Sequence, residues 1–526
     1  MTLRPLALAA GLALALPLVV LPTAAAGPPA DRGRPGLQIT ELGRYTAPNA
    51  EFDAGGAEIV AHDPGTQRLF VVNGSETTLD VIDIADPAAP TLVEQVDLSE
   101  FGTGLTGVGS ARGLVGVATG PDDAQSARGT AVFLDARSLQ VRGTAEVGFL
   151  PDALLFSPDG RTAVVANEGE PSADYSVDPE GSVSLIDVRD FSVREVGFGS
   201  VTEVDDSTRI FGPGASIAQD VEPENIAFSH DSRTAWVSLQ ENNALAVIDL
   251  RKGTLTDVVG LGFIDRNDER NAFDASNDDG EITIRNWDVL GIPMPDSVST
   301  VRSRGQTFVL TANEGDARDY ETFSEEERVA DVALCAQEYP DAAELQLDEN
   351  LGRLNITTVN GFDEARGCFA QLHAFGGRSF SAYTAGGEPV YDSGSDFERI
   401  TAEVLGRNGF NANNDESGPD AFDSRSDDKG PEPEGMDVGT WKGRTYAFVG
   451  LERVGGFMTY DVTDPRKPVF VAYTNGRDFG AATAEESIDL GPEGVLFVEA
   501  KDSPTKRPLV VLSHEVSAST TIYGLG

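Results

Sequence analysis

The feature that most constrains how this chain can fold is a pattern that returns along its length. At 149–188, an acidic turn containing Pro151 and Asp152 leads into an alternating apolar strand (LLFS). A Pro-Asp-Gly turn at 158–160 then reverses the chain, a second strand (TAVVA) runs back to Asn167 and Glu168, and SVSLIDV supplies a third. The same unit is legible at 56–84, 220–250, 294–318, 430–462 and 490–525, and in weaker form, without its acidic residue, at 106–120. Short strands and turns repeated on this scale, with little helix between them, predict radially arranged four-stranded blades: an all-β fold, a β-propeller. Seven copies predict seven blades. The step from Asp296 to Glu434 is much longer than the others and leaves room for an eighth.

A propeller must close its ring. LQITELGRY (37–45) is a lone strand ahead of the first unit and is expected to complete the last blade beside the C-terminal STTIYGL. Residues 316–430 depart from the repeat as a partly helical insertion in the fifth blade. Within them ETFSEEERVADVALCAQ reads as a helix with Ser324 as N-cap ahead of Glu327, and SDFERITAEVL as a second one starting at Ser395 or Asp396. LGRLNITTV, QLHAF and RSFSAYT read as strands that finish the blade. Both cysteines, Cys335 and Cys368, lie in this insertion, and in a secreted chain they form either one disulfide or two free thiols.

The first 26 residues combine Arg4, an apolar run and Ala24-x-Ala26, the signature of a cleaved secretory signal peptide; 27–36 is a Pro/Gly/Arg linker, and 37–526 carries the repeats. No later apolar run is long enough to span a bilayer, so the expectation is a protein secreted to the exterior or the periplasm, without a membrane span in the mature chain and monomeric. Asp and Glu number 86 against 39 Lys and Arg, a formal net charge of −47. Such a field disfavours nucleic acid and anionic membranes as partners.

Solubility accounts for most of those charges but not for where some recur. Apart from the weak copy at 106–120, each unit opens on one acidic residue and returns on a second polar or acidic one, and an antiparallel hairpin brings the two to the same end. The openers are Glu58, Asp152, Glu224, Asp296, Glu434 and Glu493; the return positions are Glu168, Glu241, Glu314, Glu452 and Glu515, with Asn73 or Glu76 in the first unit. On inner strands they would ring one mouth of the channel, where crowded carboxylates repel and call for cations. Hard oxygen ligands suit calcium best, with another divalent cation behind it. The alternative is that each caps a turn at its blade end. Asp274, Asn277 and Asp279 in FDASNDDGEITI (273–284) resemble the first half of an EF-hand loop without its final Glu, either a calcium loop or an Asx-rich turn. The acidic stretch 413–435 leads into Glu434, so Arg425, Asp427, Asp428 and Lys429 are candidates to cover the site.

The stretches LPDALLFSPDGRTAVVANEGEPSADYSVDPEGSVSLID, TANEGDAR, SRSDDKGPEPEG, GRTYAFVGLERVGG and LGPEGVLFVEAKDSP resemble the choice-of-anchor I domain family, over roughly residues 37–526. That family takes in mesenchyme-specific cell-surface glycoproteins and secreted proteins labelled alkaline phosphatase-like. The resemblance implies an extracellular propeller, often carried on a C-terminal surface anchor, with links to calcium and mineral deposition. This chain ends at IYGLG without a sorting motif or apolar tail, so free secretion is expected.

Two functions follow: a secreted, calcium-binding module that binds or scaffolds an extracellular ligand, or a calcium-dependent, alkaline phosphatase-like phosphohydrolase working on a phosphate-bearing small molecule at the same carboxylates. The second requires groups for anion binding. Arg318, Arg425 and Arg453 are candidates, the alternative being that they pair with neighbouring carboxylates. GxSxG, HExxH and P-loop motifs are missing, so no catalytic residue is assigned. Of the four histidines, His62 and His230 are expected in turns between paired strands, and His514 takes the place of the Asn beside Glu515, a position able to face the channel.

Overall fold

In the computed structural model, which describes residues 37–48 and 51–526, seven four-stranded antiparallel blades form a closed ring. The predicted signal peptide and linker lie outside the described residues. Inner strands are Val60–Asp63, Gly104–Ala111, Pro151–Phe156, Pro223–Phe228, Val298–Ser303, Pro433–Trp441 and Pro492–Val498. Each packs against the inner strands of the blades on either side.

Closure follows the expected route. The N-terminal strand Ile39–Thr46 pairs with Ser519–Leu525, so the last blade is built from both ends of the described chain. Apolar side chains alternate along the strands and meet those of the neighbouring blade, which gives every inter-blade interface its own apolar cluster. Phe70 and Val117 lie between blades one and two, Phe133 and Val165 between two and three, and Val164 and Val237 between three and four. Trp236 and Val309 follow between four and five, Phe380 and Val449 between five and six, Phe448 and Val510 between six and seven, and Val71 and Val511 across the closure. The hydrophobic core is thus distributed around the ring instead of being gathered at one centre.

The long step in blade five holds no eighth blade. Its second strand, Gln306–Asn313, pairs directly with Ser379–Thr384, and the chain between them leaves the ring. There it joins an earlier excursion, 261–297, in a five-stranded sheet: Ile264–Asp265, Val289–Ile292, Leu372–Phe375, Asn355–Thr357 and Glu326–Arg328. The expected NITTV and QLHAF strands therefore belong to this added sheet; only RSFSAYT continues blade five. The sheet has its own core around Phe273, Trp287, Leu354 and Phe369.

The expected helix over ETFSEEERVADVALCAQ does not form. Glu326–Arg328 pairs with Asn355–Thr357, and only a short 3-10 turn follows at Val329–Asp331. Cross-strand pairing, β-branched Val329 and Val332, and the tie at Cys335 outweigh local helix propensity. The second helix, Asp396–Leu405, does form, with Ser395 at its N-cap position. That hydroxyl donates instead to the carbonyls of Arg270 and Ala272, so it fastens the helix to the excursion.

Cys335 and Cys368 form a disulfide with Cα atoms 5.1 Å apart, spanning 33 residues. Replacing both by serine is expected to lower stability by roughly 3 kcal/mol in the loop-entropy picture. Urea denaturation checks this, and because the bridge lies in the added sheet, the loss should appear there while the blades keep their strand signal in circular dichroism.

Candidate functional site

The acidic residues reach the channel mouth through a device repeated from blade to blade. Inner strands begin with a Pro-acid pair: Pro151-Asp152, Pro223-Glu224, Pro433-Glu434 and Pro492-Glu493, with Pro295-Asp296 just ahead of Val298. Proline has no N–H to give a ladder, so it sits at the first residue of the strand. In four of these blades the register slips immediately afterwards, between Pro151 and Leu154, Pro223 and Ile226, Pro433 and Met436, and Pro492 and Gly494. The acid thus lies inside a β-bulge, where it is released from pairing and its side chain is re-aimed. Leu150, Met294 and Glu432, each just before such a proline, adopt positive φ of 44°, 44° and 50°, a strained approach of the kind that persists where the surroundings enforce it.

The channel between the inner strands is a cavity of about 420 Å³, lined by all seven blades, with Asp152, Asp296, Glu434 and Glu493 among its walls. The predicted set does come together. Burial and then the neighbouring Glu515 and Asp152 carboxylates push Glu58 up to about 8; burial, Glu170 and Glu241 push Asp152 up to about 7. Burial also lifts Glu241 to about 7, and burial reinforced by adjacent acids holds Glu168, Glu224, Asp296, Glu434, Glu452 and Glu493 well above the ordinary range. Glu515 is raised by burial as well.

Strand register corrects two assignments. Leu239 pairs with Pro223 as Asn167 pairs with Pro151, so Gln240, not Glu241, occupies the position of Glu168. Gln240 donates to Glu314 at 2.9 Å, and Glu241, one residue further, is at the mouth all the same. In blade one the equivalent residue is Gly74, not Asn73 or Glu76. The Glu58 carboxylate lies against Gly55 and Gly74, where a Cβ on either glycine would come within 2.2 or 2.5 Å of it. Blade two contributes no acid; its Thr106 hydroxyl instead donates to the Pro151 carbonyl at 2.6 Å.

Basic groups neutralise only part of the ring. Lys429 Nζ lies 2.8 Å from Glu314, 3.1 Å from Asp316 and 3.4 Å from Glu432. Glu314, Glu432 and Glu452 have the spacing of a metal-binding trio, but the lysine ammonium already stands among them. Arg425 pairs with Asp428 and Glu432 at 2.6 Å each, and Arg453 pairs with Glu432 at 3.2 Å and Glu452 at 2.9 Å. Burial alone would raise Glu432; Lys429, Arg425 and Arg453 override it and hold the carboxyl at about 2. Arg318 is buried against Asp220 at 2.5 Å and Glu222 at 2.9 Å. Asp427 turns away to Arg328 and Arg353, each at 3.1 Å.

Among the described residues, Glu314 and Glu452 are the members of the predicted set that form ion pairs. In the uncompensated remainder, one carboxylate oxygen each of Glu224, Glu241, Glu434 and Glu493 is buried with no hydrogen-bond partner. A buried acceptor left unmade is costly, and oxygens converging on one mouth without donors are suited to a hard cation. Glu170, Glu222 and Glu432 were not in the predicted set. A legible signal existed for two of them, the Glu-Pro-Glu runs 222–224 and 432–434.

The other candidates lie elsewhere. His62 is in strand Val60–Asp63, not in a turn, and burial lowers it to about 4; His230 is in a turn as expected. His514 does not face the channel: it is buried within blade seven, 3.2 Å from the Ser519 carbonyl and 3.9 Å from Asp489. Asn277 accepts from Arg353 at 3.0 Å, and Asp279 accepts from the Glu281 N–H at 2.7 Å.

The choice-of-anchor I domain matches residues 58–465. Gigasin-3a of Magallana gigas is 29% identical over 194 residues, covering 34% of this chain and 66% of the relative. A mesenchyme-specific cell surface glycoprotein of Strongylocentrotus purpuratus is 29% identical over 283 residues, covering 47% of this chain and 35% of the relative. The chain therefore spans less than two thirds of either curated relative. Among solved structures it is similar to hydrazine synthase of Kuenenia stuttgartiensis, at 13% identity and TM-score 0.48, covering 90% of this chain and 97% of that one. It is also similar to the Cps50 (Swd1) β-propeller domain of Myceliophteria thermophila, at 7% identity and TM-score 0.43, covering 93% and 100%. Likeness at these scores carries no functional information.

Two outcomes follow from the electrostatics. Carboxylates whose folded values are raised bind protons that the unfolded chain has already released, so they cost stability as pH rises from the ordinary carboxylate range to about 8. In chelator, the melting temperature should fall between pH 5 and 8. Glu432 has the opposite sign, since its stabilisation is present above the ordinary carboxylate value and is lost as pH drops towards 2. Glu432→Gln leaves Lys429, Arg425 and Arg453 short of their shared partner and is expected to cost about 3–5 kcal/mol in urea denaturation.

Proposed function

This chain belongs to the choice-of-anchor I domain family, and on that premise we propose that it is a secreted, calcium-binding propeller acting as an extracellular binding or scaffold module through its carboxylate-lined mouth. The observation that carries this reading is the set of buried, unpartnered carboxylate oxygens on Glu224, Glu241, Glu434 and Glu493. Calcium takes six to eight oxygens in flexible geometry, and a multi-blade ring of carboxylates supplies such oxygens from several directions. A bound cation would also expose positive charge to the channel opening, where an acidic or oxygen-rich extracellular ligand could complete its coordination.

Extracellular placement is supported by the disulfide, which persists in oxidising compartments. No helix among the described residues is long and apolar enough to cross a membrane. The phosphohydrolase reading has weaker support. Arg318, Arg425 and Arg453 are each engaged with carboxylates and leave no free guanidinium for a phosphoryl group.

Calcium titration of the chelated chain is expected to raise the melting temperature, with about 2.7 kcal/mol of stabilisation at a hundredfold excess over the dissociation constant. It should also abolish the loss of stability between pH 5 and 8. Glu434→Gln and Glu224→Gln should weaken the response, and no phosphate should be released from a generic phosphomonoester. An unchanged melting temperature with no calorimetric binding would refute the reading. Calcium-dependent phosphate release lost in Glu434→Gln would replace it with the hydrolase.

A further inference from the structure

A second acidic cluster lies away from the channel mouth, where the excursion ahead of blade five meets the segment between blades five and six. Backbone bonds pair the stretches around Asn411 and Asp423: Asp423 N–H donates to the Phe410 carbonyl and Arg425 N–H to that of Asn411, both at 2.9 Å. Asn411 and Asp423 both adopt positive φ, 39° and 66°, so the backbone is bent to turn these two side chains inward. Asn411, Asp423 and Asp274 are 0%, 1% and 1% exposed.

The hydrogen bonds settle which oxygens remain free. Glu398 accepts from Arg378 at 2.7 Å, from the Asp274 N–H at 3.0 Å and from Asn411 Nδ2 at 3.1 Å. A carboxylate only accepts, so Asn411 must present its amide N–H₂ to Glu398. Its Oδ1 is left with no donor. Asp423 Oδ1 accepts from Ser426, whereas Oδ2 has no partner; the two Asp274 oxygens each accept one backbone N–H, Oδ1 from Ser276 at 3.4 Å and Oδ2 from Thr283, and each keeps a second lone pair. Arg378 compensates Glu398, but among the described residues no basic side chain forms an ion pair with Asp274 or Asp423. Burial and then the Asp274 carboxylate push Asp423 up to about 8; burial and then Glu398 push Asp274 up to about 7. Two buried carboxyls without a cation, beside a buried carbonyl oxygen without a donor, lack a positively charged centre.

We propose that Asp274, Asp423 and Asn411 form a calcium-binding site distinct from the channel mouth. Carboxylate and amide-carbonyl oxygens are the ligand types calcium takes, and water or backbone oxygens can fill its remaining positions. The ligand set differs from the EF-hand-like reading of 273–284: Asp274 stays because it is buried beside Asp423, while Asn277 is held by Arg353 and the half-buried Asp279 closes a local turn. In place of the missing terminal Glu, the ligands come from the distant 411–423 segment. The cation would clamp the excursion to the segment that carries Arg425 and Lys429, since Arg378 also binds the Ser426 carbonyl at 2.8 Å and that of Asp428 at 2.5 Å. It would thereby set the position of the lysine at the mouth.

Isothermal titration of the chelated full chain with calcium tests this. Asp423→Asn, isosteric but uncharged, should remove one binding event per chain, while Glu434→Gln at the mouth should retain that event. A folded Asp423→Asn protein that binds the same number of calcium ions with unchanged affinity would overturn the proposal, as would a wild-type chain that binds none. If Asp423→Asn does not fold, hydrogen exchange of Glu434→Gln decides: calcium should slow exchange of the backbone amides around Asp274 and across 410–425, and unchanged exchange in both stretches would overturn the proposal.

Discussion

Closure of the ring is the constraint on which everything else depends. Acidic residues gathered at one end of the inner strands repel, and repulsion at one end of a radial array acts to splay the blades. What resists it is circumferential: an apolar cluster at each interface and the antiparallel ladder between Ile39–Thr46 and Ser519–Leu525. Because no interface is left open, the strain of crowding charge is shared around the ring and cannot be relieved at a single edge. A propeller can in this way hold a density of buried carboxylate that an isolated sheet could not.

The cations that offset part of this charge come mainly from the irregular parts of the chain. Arg318 follows the return of the second strand of blade five, and Arg425 and Lys429 come from the segment leading into blade six; Arg453 is the one contributed by a regular hairpin. The departures from the repeat therefore compensate what the repeat creates. Blade-end geometry supplies negative charge at nearly every step, and the insertions decide where it is left uncompensated.

The ring was legible because its signals are local and repeated. The Pro-acid pair marks a strand start with a bulge, and a turn such as Pro158-Asp159-Gly160 marks the hairpin. Closure was legible for the same reason, as a strand without a partner at each end. The added sheet was not, because its strands are two to four residues long and pair across separations such as Val289 with Leu372, a distance that no periodicity encodes. The helix expected over 321–337 failed on the same ground: Glu326–Arg328 finds its partner in Asn355–Thr357. At the mouth, acidity points to Glu241 where strand register places Gln240, and the Glu-Pro-Glu runs are the local signal that sets Glu222 and Glu432 beside the openers Glu224 and Glu434. The pairing of Arg425 and Arg453 with Glu432 is long-range information of the same kind.

Blade two, where Thr106 stands in place of an acid, has consequences beyond a missing ligand. Counting around seven blades, it lies opposite the junction of blades five and six, where Lys429, Arg425 and Arg453 gather. One rim of the opening thus carries no acid, and on the facing rim Lys429, Arg425 and Arg453 offset Glu314, Glu432 and Glu452 while Glu434 stays uncompensated. The near-sevenfold symmetry of the backbone is reduced at the opening to a single axis. A ligand docking there would meet a surface with a defined orientation and would seat in one rotational setting, not in seven equivalent ones.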